Sequence, residues 1–319
     1  MRAWLIGCLF LGLSLILAGC VSGQMYTERV EEAYPPIGEY VAFRDGRVHV
    51  IRRGERGAAP VLMIHGASAN AREYLITLVP ELEDQSLDLL LADRPGHGYS
   101  SRVENAADLG VQAAAMAKAL EEMTDEPAVI VGHSFGGAVA LRLALDHPEK
   151  VKALILLAPV THDWGDGGIT WYNRLAAPPV FGALFSQLAP QVGPGAARDS
   201  LDNLFSPAEP PENYADNMGV DLLFRPAVFR ANARDLVTLK AQLAEQQKRY
   251  DALSMPIIIY SGTYDTVIKP KLHAARLQKT LPDTVTLLKL DDEGHMPHHG
   301  KADEIADAIL RLARAESVQ

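Results

Sequence analysis

The stretch VIVGHSFGGAVALRLA, residues 129–144, passes from β-branched residues through a serine flanked by glycines into an alanine- and leucine-rich segment. A short apolar run bounded by turn residues is what a strand covered on both faces requires, and the apolar spacing from Phe135 onward is helical. Between them Gly132-His133-Ser134-Phe135-Gly136 reads G-x-S-x-G. A strand that turns this sharply into a helix holds the middle residue in a strained conformation and lifts its hydroxyl clear of the sheet. Gly132 and Gly136 are expected to be glycine because a Cβ two positions to either side would collide within the turn, and Gly137 because the new helix must pack close to its strand.

Runs of the same apolar character recur on either side: PVLMIHG (60–66), LDLLLAD (87–93), VKALILLAP (151–159), PIIIYSG (256–262) and TVTLLKLD (284–291). Ahead of them EYVAFRDGRVHVIRRG (39–54) places Asp45-Gly46 between two alternating runs, a hairpin signal. Helical patterns lie between the runs, over Asn70–Leu82, Asn105–Met123, Phe135–His147, Pro270–Leu281 and Ala302–Ala313. Strand and helix alternating in this way predict an α/β fold, a mostly parallel sheet of eight strands with helices on both faces. The alternation breaks once. Residues 160–255 are helical in period and punctuated by proline and glycine, so they are expected to form a helical cap inserted into a core made of 37–159 and 256–319.

A serine hydroxyl needs a base before it becomes a useful nucleophile. His295, in EGHMPHHG after the last strand, is the candidate base. Asp265, in YSGTYDTVI after the preceding strand, is suited to hold its imidazole in one tautomer. Both follow carboxyl ends of strands, where open parallel sheets place their sites. In LMIHGASAN the backbone N–H of Ala67 is the candidate to join that of Phe135 in an oxyanion hole. His298 and His299 are read as surface or loop histidines, since Pro297 interrupts any helix presenting them and no second ligand group is evident; no metal or other cofactor is expected. His133 reads as a packing residue, His65 and His97 as residues that shape their loops, and Asp93 as a less fitting alternative acid.

Net charge is −10, which gives no basic footprint for nucleic acid. The first twenty residues, MRAWLIGCLFLGLSLILAGC, have the anatomy of an export signal. Their LAGC ending resembles a bacterial lipoprotein signal, which implies cleavage of residues 1–19 and a lipidated Cys20; an uncleaved membrane anchor is the other reading. By that resemblance Val21 after the cysteine favours the outer membrane over the inner. Residues 20–36 are expected to be a polar tether, reaching roughly 20 Å as a flexible coil. With Cys8 lost and Cys20 lipidated, no disulfide is expected in a monomeric mature chain.

With these segments in view the chain resembles an α/β-hydrolase fold enzyme of the capped, epoxide-hydrolase and haloperoxidase-like branch, from about Gly38 to the C-terminus. GHSFGG, IHGAS, GTYD, DEGH and DRPGHGYS (93–100) carry the likeness. Serine, aspartate and histidine also fall in that fold's order. Ser134 stands where epoxide hydrolases and haloalkane dehalogenases have aspartate, which removes both chemistries. The resemblance implies a cofactor-independent serine hydrolase acting on carboxylic esters, with carbon–carbon bond hydrolysis of the meta-cleavage type, or ligand binding without catalysis, as alternatives.

Overall fold

A computed structural model describes the backbone of residues 2–165 and 167–315, and the side chains of all these but 2–13, 15 and 16. The apolar run from Trp4 and the thiol of Cys8 therefore fall largely outside the described side chains. Eight strands form one sheet: β1 (Glu39–Phe43), β2 (Gly46–Gly54), β3 (Ala59–Ile64), β4 (Leu87–Ala92), β5 (Ala128–His133), β6 (Val151–Leu157), β7 (Ile257–Gly262) and β8 (Val285–Leu290). Their spatial order is β1-β2-β4-β3-β5-β6-β7-β8. β1–β2 and β2–β4 pair antiparallel and the remaining pairs are parallel, as the alternation of strand and helix requires.

Thirteen α-helices accompany the sheet among the described residues. They are α1 (Arg2–Ala33), α2 (Leu78–Leu82), α3 (Leu109–Met123), α4 (Phe135–Asp146), α5 (Trp171–Ala176), α6 (Phe181–Phe185), α7 (Ala189–Asp199), α8 (Leu201–Phe205), α9 (Tyr214–Met218), α10 (Pro226–Gln246), α11 (Ala274–Thr280), α12 (Pro297–Gly300) and α13 (Ala302–Arg314). Alternate residues of one strand face opposite layers: Leu62 and Ile64 pack with α3 and α4, while Val61 and Met63 pack with α2 and α13. Helices α5 to α10 fall between β6 and β7, and their apolar residues form a third cluster over the carboxyl edge of the sheet. Local chemistry fixes the ends. Asp108 caps α3 by accepting from Gly110 N at 2.7 Å, and α13 carries Asp303 and Glu304 in its first turn and Arg311 and Arg314 in its last.

Three sequence expectations need correction here. Hairpin pairing sets Phe43 opposite Gly46, so the turn residues are Arg44 and Asp45, with Arg44 at φ 52°; Gly46 lies in the strand, where a Cβ would come within 2.5 Å of Ser101 Cβ. Asn70–Leu82 is not one helix but a 3₁₀ segment, Ala71–Leu75, followed by α2.

The larger correction concerns the expected tether. Residues 20–33 continue helix α1, and Tyr26 and Val30 are buried in the cap's apolar cluster, with the Tyr26 hydroxyl donating to Asp221 O at 3.1 Å. Tyr26, Val30 and Tyr34 recur every fourth residue, a one-stripe period masked by the acidic residues between them. No helix among the described residues is long and apolar enough to cross a membrane.

A Val30→Asp variant puts a carboxylate into this interface, so the helix should open locally. Trypsin cleavage after exposed Arg29 is expected to accelerate about tenfold or more, the equivalent of about 1.4 kcal/mol of lost docking; an unchanged rate would mean that the helix does not depend on this contact.

Candidate active site

Strand β5 ends at His133, and Ser134 follows with φ 51° and ψ −113°, a conformation that costs a non-glycine residue on the order of 1–3 kcal/mol. Two close approaches enforce it. A Cβ on Gly136 would lie 2.0 Å from Ile64 O at the end of β3, and one on Gly132 would lie 2.7 Å from Gly136 O. Gly137 serves a different partner from the one expected: its Cβ would meet Pro159 Cβ at 2.6 Å, so the glycine admits the loop after β6. The Ser134 amide donates to Leu157 O at 2.9 Å, which ties the elbow to β6.

His295 and Asp265 meet as the sequence led us to expect. His295 Nδ1 lies 2.8 Å from Asp265 Oδ2, and both residues are buried. The other carboxylate oxygen, Oδ1, accepts from the amides of Val267 and Ile268 at 2.8 Å each, so the loop after β7 fixes the acid. Gly262 allows this loop to touch the next one, since a Cβ there would lie 2.3 Å from the carbonyls of Glu293 and Gly294. His133, beside the serine, supports His295 from beneath: its Nε2–H donates to His295 O at 3.0 Å, with ring centroids 5.0 Å apart. Burial holds His133 well below the usual imidazole range, so it is a neutral support.

Ala67, Ser134 and Phe135 line one cavity of about 330 Å³ with Val160, Trp164, Ile169, Leu236, Leu239 and Leu272. The amide of Phe135 opens α4, where first-turn donors have no intrahelical acceptor. Gly66 brings the Ala67 loop alongside the serine: a Cβ on it would lie 3.3 Å from Ser134 Cβ. The cavity is mainly apolar, with Thr266, Lys269 and His273 at its polar positions.

Sequence reading missed what fixes the Ala67 loop. Arg94 is fully buried; its guanidinium donates to His65 O (3.2 Å) and Gly66 O (3.1 Å), to Gln112 Oε1 (2.9 Å) and to Asp235 Oδ2 (2.9 Å), and sits 4.2 Å from the centroid of the Phe135 ring. Burial draws Arg94 down to about 10, opposed by Asp235, and it stays charged at neutral pH. Asp235 lies on cap helix α10 and also receives Arg102 at 2.8 Å. One turn earlier Asn232 Oδ1 accepts the Ser68 amide at 2.8 Å. The cap thus grips both ends of the Ala67 loop. An arginine in DRPGHGYS gives no sign of this, because its partner is 141 residues away.

His65 and His97 do shape this region. The His65 ring accepts the Arg94 amide at 3.0 Å, and burial, then the charge of Arg94, takes it down to about 3; burial also drives His97 well below its usual value. Asp93 organises its loop, accepting from His49 Nδ1 (2.7 Å), Ala71 N (2.8 Å) and Tyr99 N (2.9 Å). Burial alone would raise it, but the His49 hydrogen bond and charge hold it below the usual range.

His298 does not lie on the surface, and His299 is only partly exposed. They occupy α12, with His298 fully buried and its Nε2 3.1 Å from Glu73 Oε1, while the His299 ring packs on Phe205 and Tyr214. Pro297 begins this short helix, where proline is tolerated, and does not interrupt it. Glu73 is the second ligand group the linear pattern could not supply: it and the two histidines bring ligand atoms within 4.8 Å of one another, close enough for one divalent ion; the His298 Nε2–Glu73 Oε1 bond engages one atom of each, while Glu73 Oε2, His298 Nδ1 and both ring nitrogens of His299 are buried without a hydrogen-bond partner.

The alpha/beta hydrolase fold model matches residues 59–302. The chain belongs to the alpha/beta hydrolase fold family. This alpha/beta hydrolase is 28% identical over 271 residues to the dihydrolipoyllysine-residue acetyltransferase component of an acetoin cleaving system from Cupriavidus necator, covering 83% of the chain and 66% of that protein. It is 43% identical over 116 residues to Lipase LipV of Mycobacterium tuberculosis, covering 35% of the chain and 41% of the lipase. Each match therefore spans less than two thirds of the relative. In structure it resembles an esterase from Exiguobacterium antarcticum with a TM-score of 0.70 at 17% identity, over 88% of this chain and all (100%) of that one, a likeness of fold.

Two outcomes follow from the buried groups. Asp235→Asn leaves Arg94 buried without its counter-charge, and urea unfolding should show a loss of about 3–5 kcal/mol; a loss below about 1 kcal/mol would mean that the clamp is dispensable. His65 and His97 remain neutral in the fold at pH values where the unfolded chain protonates them. Stability should be flat above the free-histidine value of 6.5 and fall as pH drops below it toward 3, by on the order of 1 kcal/mol per pH unit for each histidine. Urea midpoints measured across that window check the sign, and a midpoint that rises on acidification would refute it.

Proposed function

We propose that this protein is a cofactor-independent serine hydrolase of carboxylic esters. The observation that carries the reading is the 2.8 Å hydrogen bond between Asp265 and His295 at the same sheet edge as an elbow serine that opens into a mainly apolar cavity. Asp265 accepts the Nδ1 proton of His295 and so leaves Nε2 as the basic nitrogen. In the proposed reaction Ser134 Oγ attacks the ester carbonyl while His295 takes the hydroxyl proton. The amides of Ala67 and Phe135 hold the oxyanion, and His295 returns the proton to the departing alcohol. Water, activated by the same imidazole, then releases the acid and restores the serine. The substrate's acyl group is matched to the cavity: about 330 Å³ with apolar walls accommodates a small or medium apolar chain.

We place the protein at the cell envelope, attached through a lipidated Cys20, with the outer membrane favoured. The LAGC sequence and the exposure of Cys20 on α1 support this placement.

A panel of p-nitrophenyl esters of graded chain length tests the function. The wild type should hydrolyse short and medium acyl esters, with kcat/KM falling once the chain outgrows the cavity. Ser134→Ala should lose at least about 10³-fold, and Asp265→Asn about 10³- to 10⁴-fold, in kcat. Equal turnover by wild type and Ser134→Ala would refute the assignment.

A further inference from the structure

Between Trp171 and Ala197 the chain carries one charged side chain, Arg174, although 22% of its residues are charged overall. This segment makes α5, α6, the 3₁₀ turn Ser186–Leu188 and most of α7; Ala176 and Ala189 turn into the cap's apolar cluster, but most of its larger apolar residues stay outside it. Trp171 is 68% exposed, Val180 76%, Phe181 55%, Leu188 58% and Val192 70%. The Trp171 and Phe181 rings both pack on Phe185, at 6.3 and 6.2 Å between centroids, which joins the exposed residues of α5 and α6 into one surface. Soluble chains rarely leave so large a contiguous apolar area to water, and tryptophan at its border is the residue type that settles at the boundary between lipid and water.

The surface continues onto helix α1. Gly23 lies against Gln187, whose Oε1 would be 2.2 Å from a Cβ there, and the Ser22 hydroxyl and Gln191 amide are hydrogen-bonded at 3.1 Å. Val21 and Met25 of α1 are likewise more than half exposed and border an open cleft beside Arg29 and Pro190. Cys20 is exposed on the same helix, two residues before Ser22. On its other side the same surface begins at Trp171, two residues after Ile169, which lines the Ser134 cavity. A largely apolar face therefore runs from α1 beside the anchor cysteine toward the mouth of the site.

We infer that this face of the cap docks on the lipid bilayer that holds Cys20, and that the site draws an ester resident in that bilayer. The inference rests on the anchored-hydrolase reading above, and its occupant is lipid because the acyl chains on Cys20 would enter the bilayer two residues before Ser22, which is hydrogen-bonded to Gln191 of α7. Arg174 on the cap and Arg29 beside the α1 cleft are its charged residues in a protein of net charge −10, so the docking is mainly apolar and depends only weakly on salt and headgroup charge.

The mature chain lipidated at Cys20, reconstituted in phosphatidylcholine vesicles containing brominated acyl chains, tests the contact without reference to hydrolysis. Quenching of a fluorescence component that disappears in Trp171→Phe is expected, with nearly the same extent at low and high salt. Absence of that component overturns the docking whatever the enzyme does. A second arm compares the wild type with the combined variant Val180→Asp, Phe181→Asp and Leu188→Asp on water-soluble p-nitrophenyl acetate and on a long-chain p-nitrophenyl ester dissolved in the vesicles. The soluble ester should be turned over within about twofold of wild type, which also shows that the variant is folded, while the embedded ester slows at least about tenfold. Equal rates on the embedded ester overturn the substrate assignment. Quenching by a wild type that hydrolyses neither ester upholds the contact and refutes the hydrolase reading.

Discussion

A single close approach of backbone to backbone sets the site: the first turn of α4 passes so near the end of β3 that only a glycine fits at position 136, and Ser134 is pushed to φ 51° as a result. The parallel sheet makes the strain tolerable. β5 lies between β3 and β6, buried along its full length, and the Ser134 amide bonds to Leu157 O, so the turn cannot relax without breaking the centre of the sheet. The hydroxyl then stands at the edge where the loops after β7 and β8 deliver Asp265 and His295. Gly262 repeats the device at smaller scale, letting those two loops touch so that the carboxylate and imidazole meet at 2.8 Å.

The cap is part of this machinery and more than a cover for it. Its longest helix, α10, reaches down with Asn232 and Asp235 to hold Ser68 and Arg94, and Arg94 in turn fastens the carbonyls of His65 and Gly66 beside the proposed oxyanion donor Ala67. A buried ion pair of this kind contributes little net stability against an apolar replacement, but breaking one side is costly, so its weight falls on geometry. The cap also touches the base: Gly294, next to His295, has no room for a Cβ because Ser206 O lies 2.1 Å from where it would be. Movement of the cap would therefore be felt at the oxyanion loop and at the imidazole together.

Local patterns were enough to read the strands and the elbow. Each parallel strand is a short apolar run because both faces are covered, and Gly132, Ser134, Gly136, Asp265 and His295 sit at strand ends where the turn chemistry is visible in a few residues. What escaped was determined by distant partners. Arg94 looks like a solvated loop residue until α10 brings Asp235 to it, and His298 looks like a surface histidine until Glu73, 225 residues away, receives its Nε2. The N-terminal helix escaped for a related reason. Its stripe of Tyr26, Val30 and Tyr34 is too sparse to signal a helix alone, and it becomes one by packing on the cap. Gly46 misled differently, since a glycine beside an aspartate suggests the turn itself, whereas it is needed in the strand to clear Ser101.

The proposed hydrolysis requires Ser134 to be a nucleophile activated by His295. Intact-mass measurement after treatment with a fluorophosphonate addresses this directly. One phosphonyl adduct should appear on the wild type, map to Ser134, form far more slowly in His295→Ala and be absent from Ser134→Ala. A folded wild type that remains unmodified, or an equal adduct on Ser134→Ala, would contradict it.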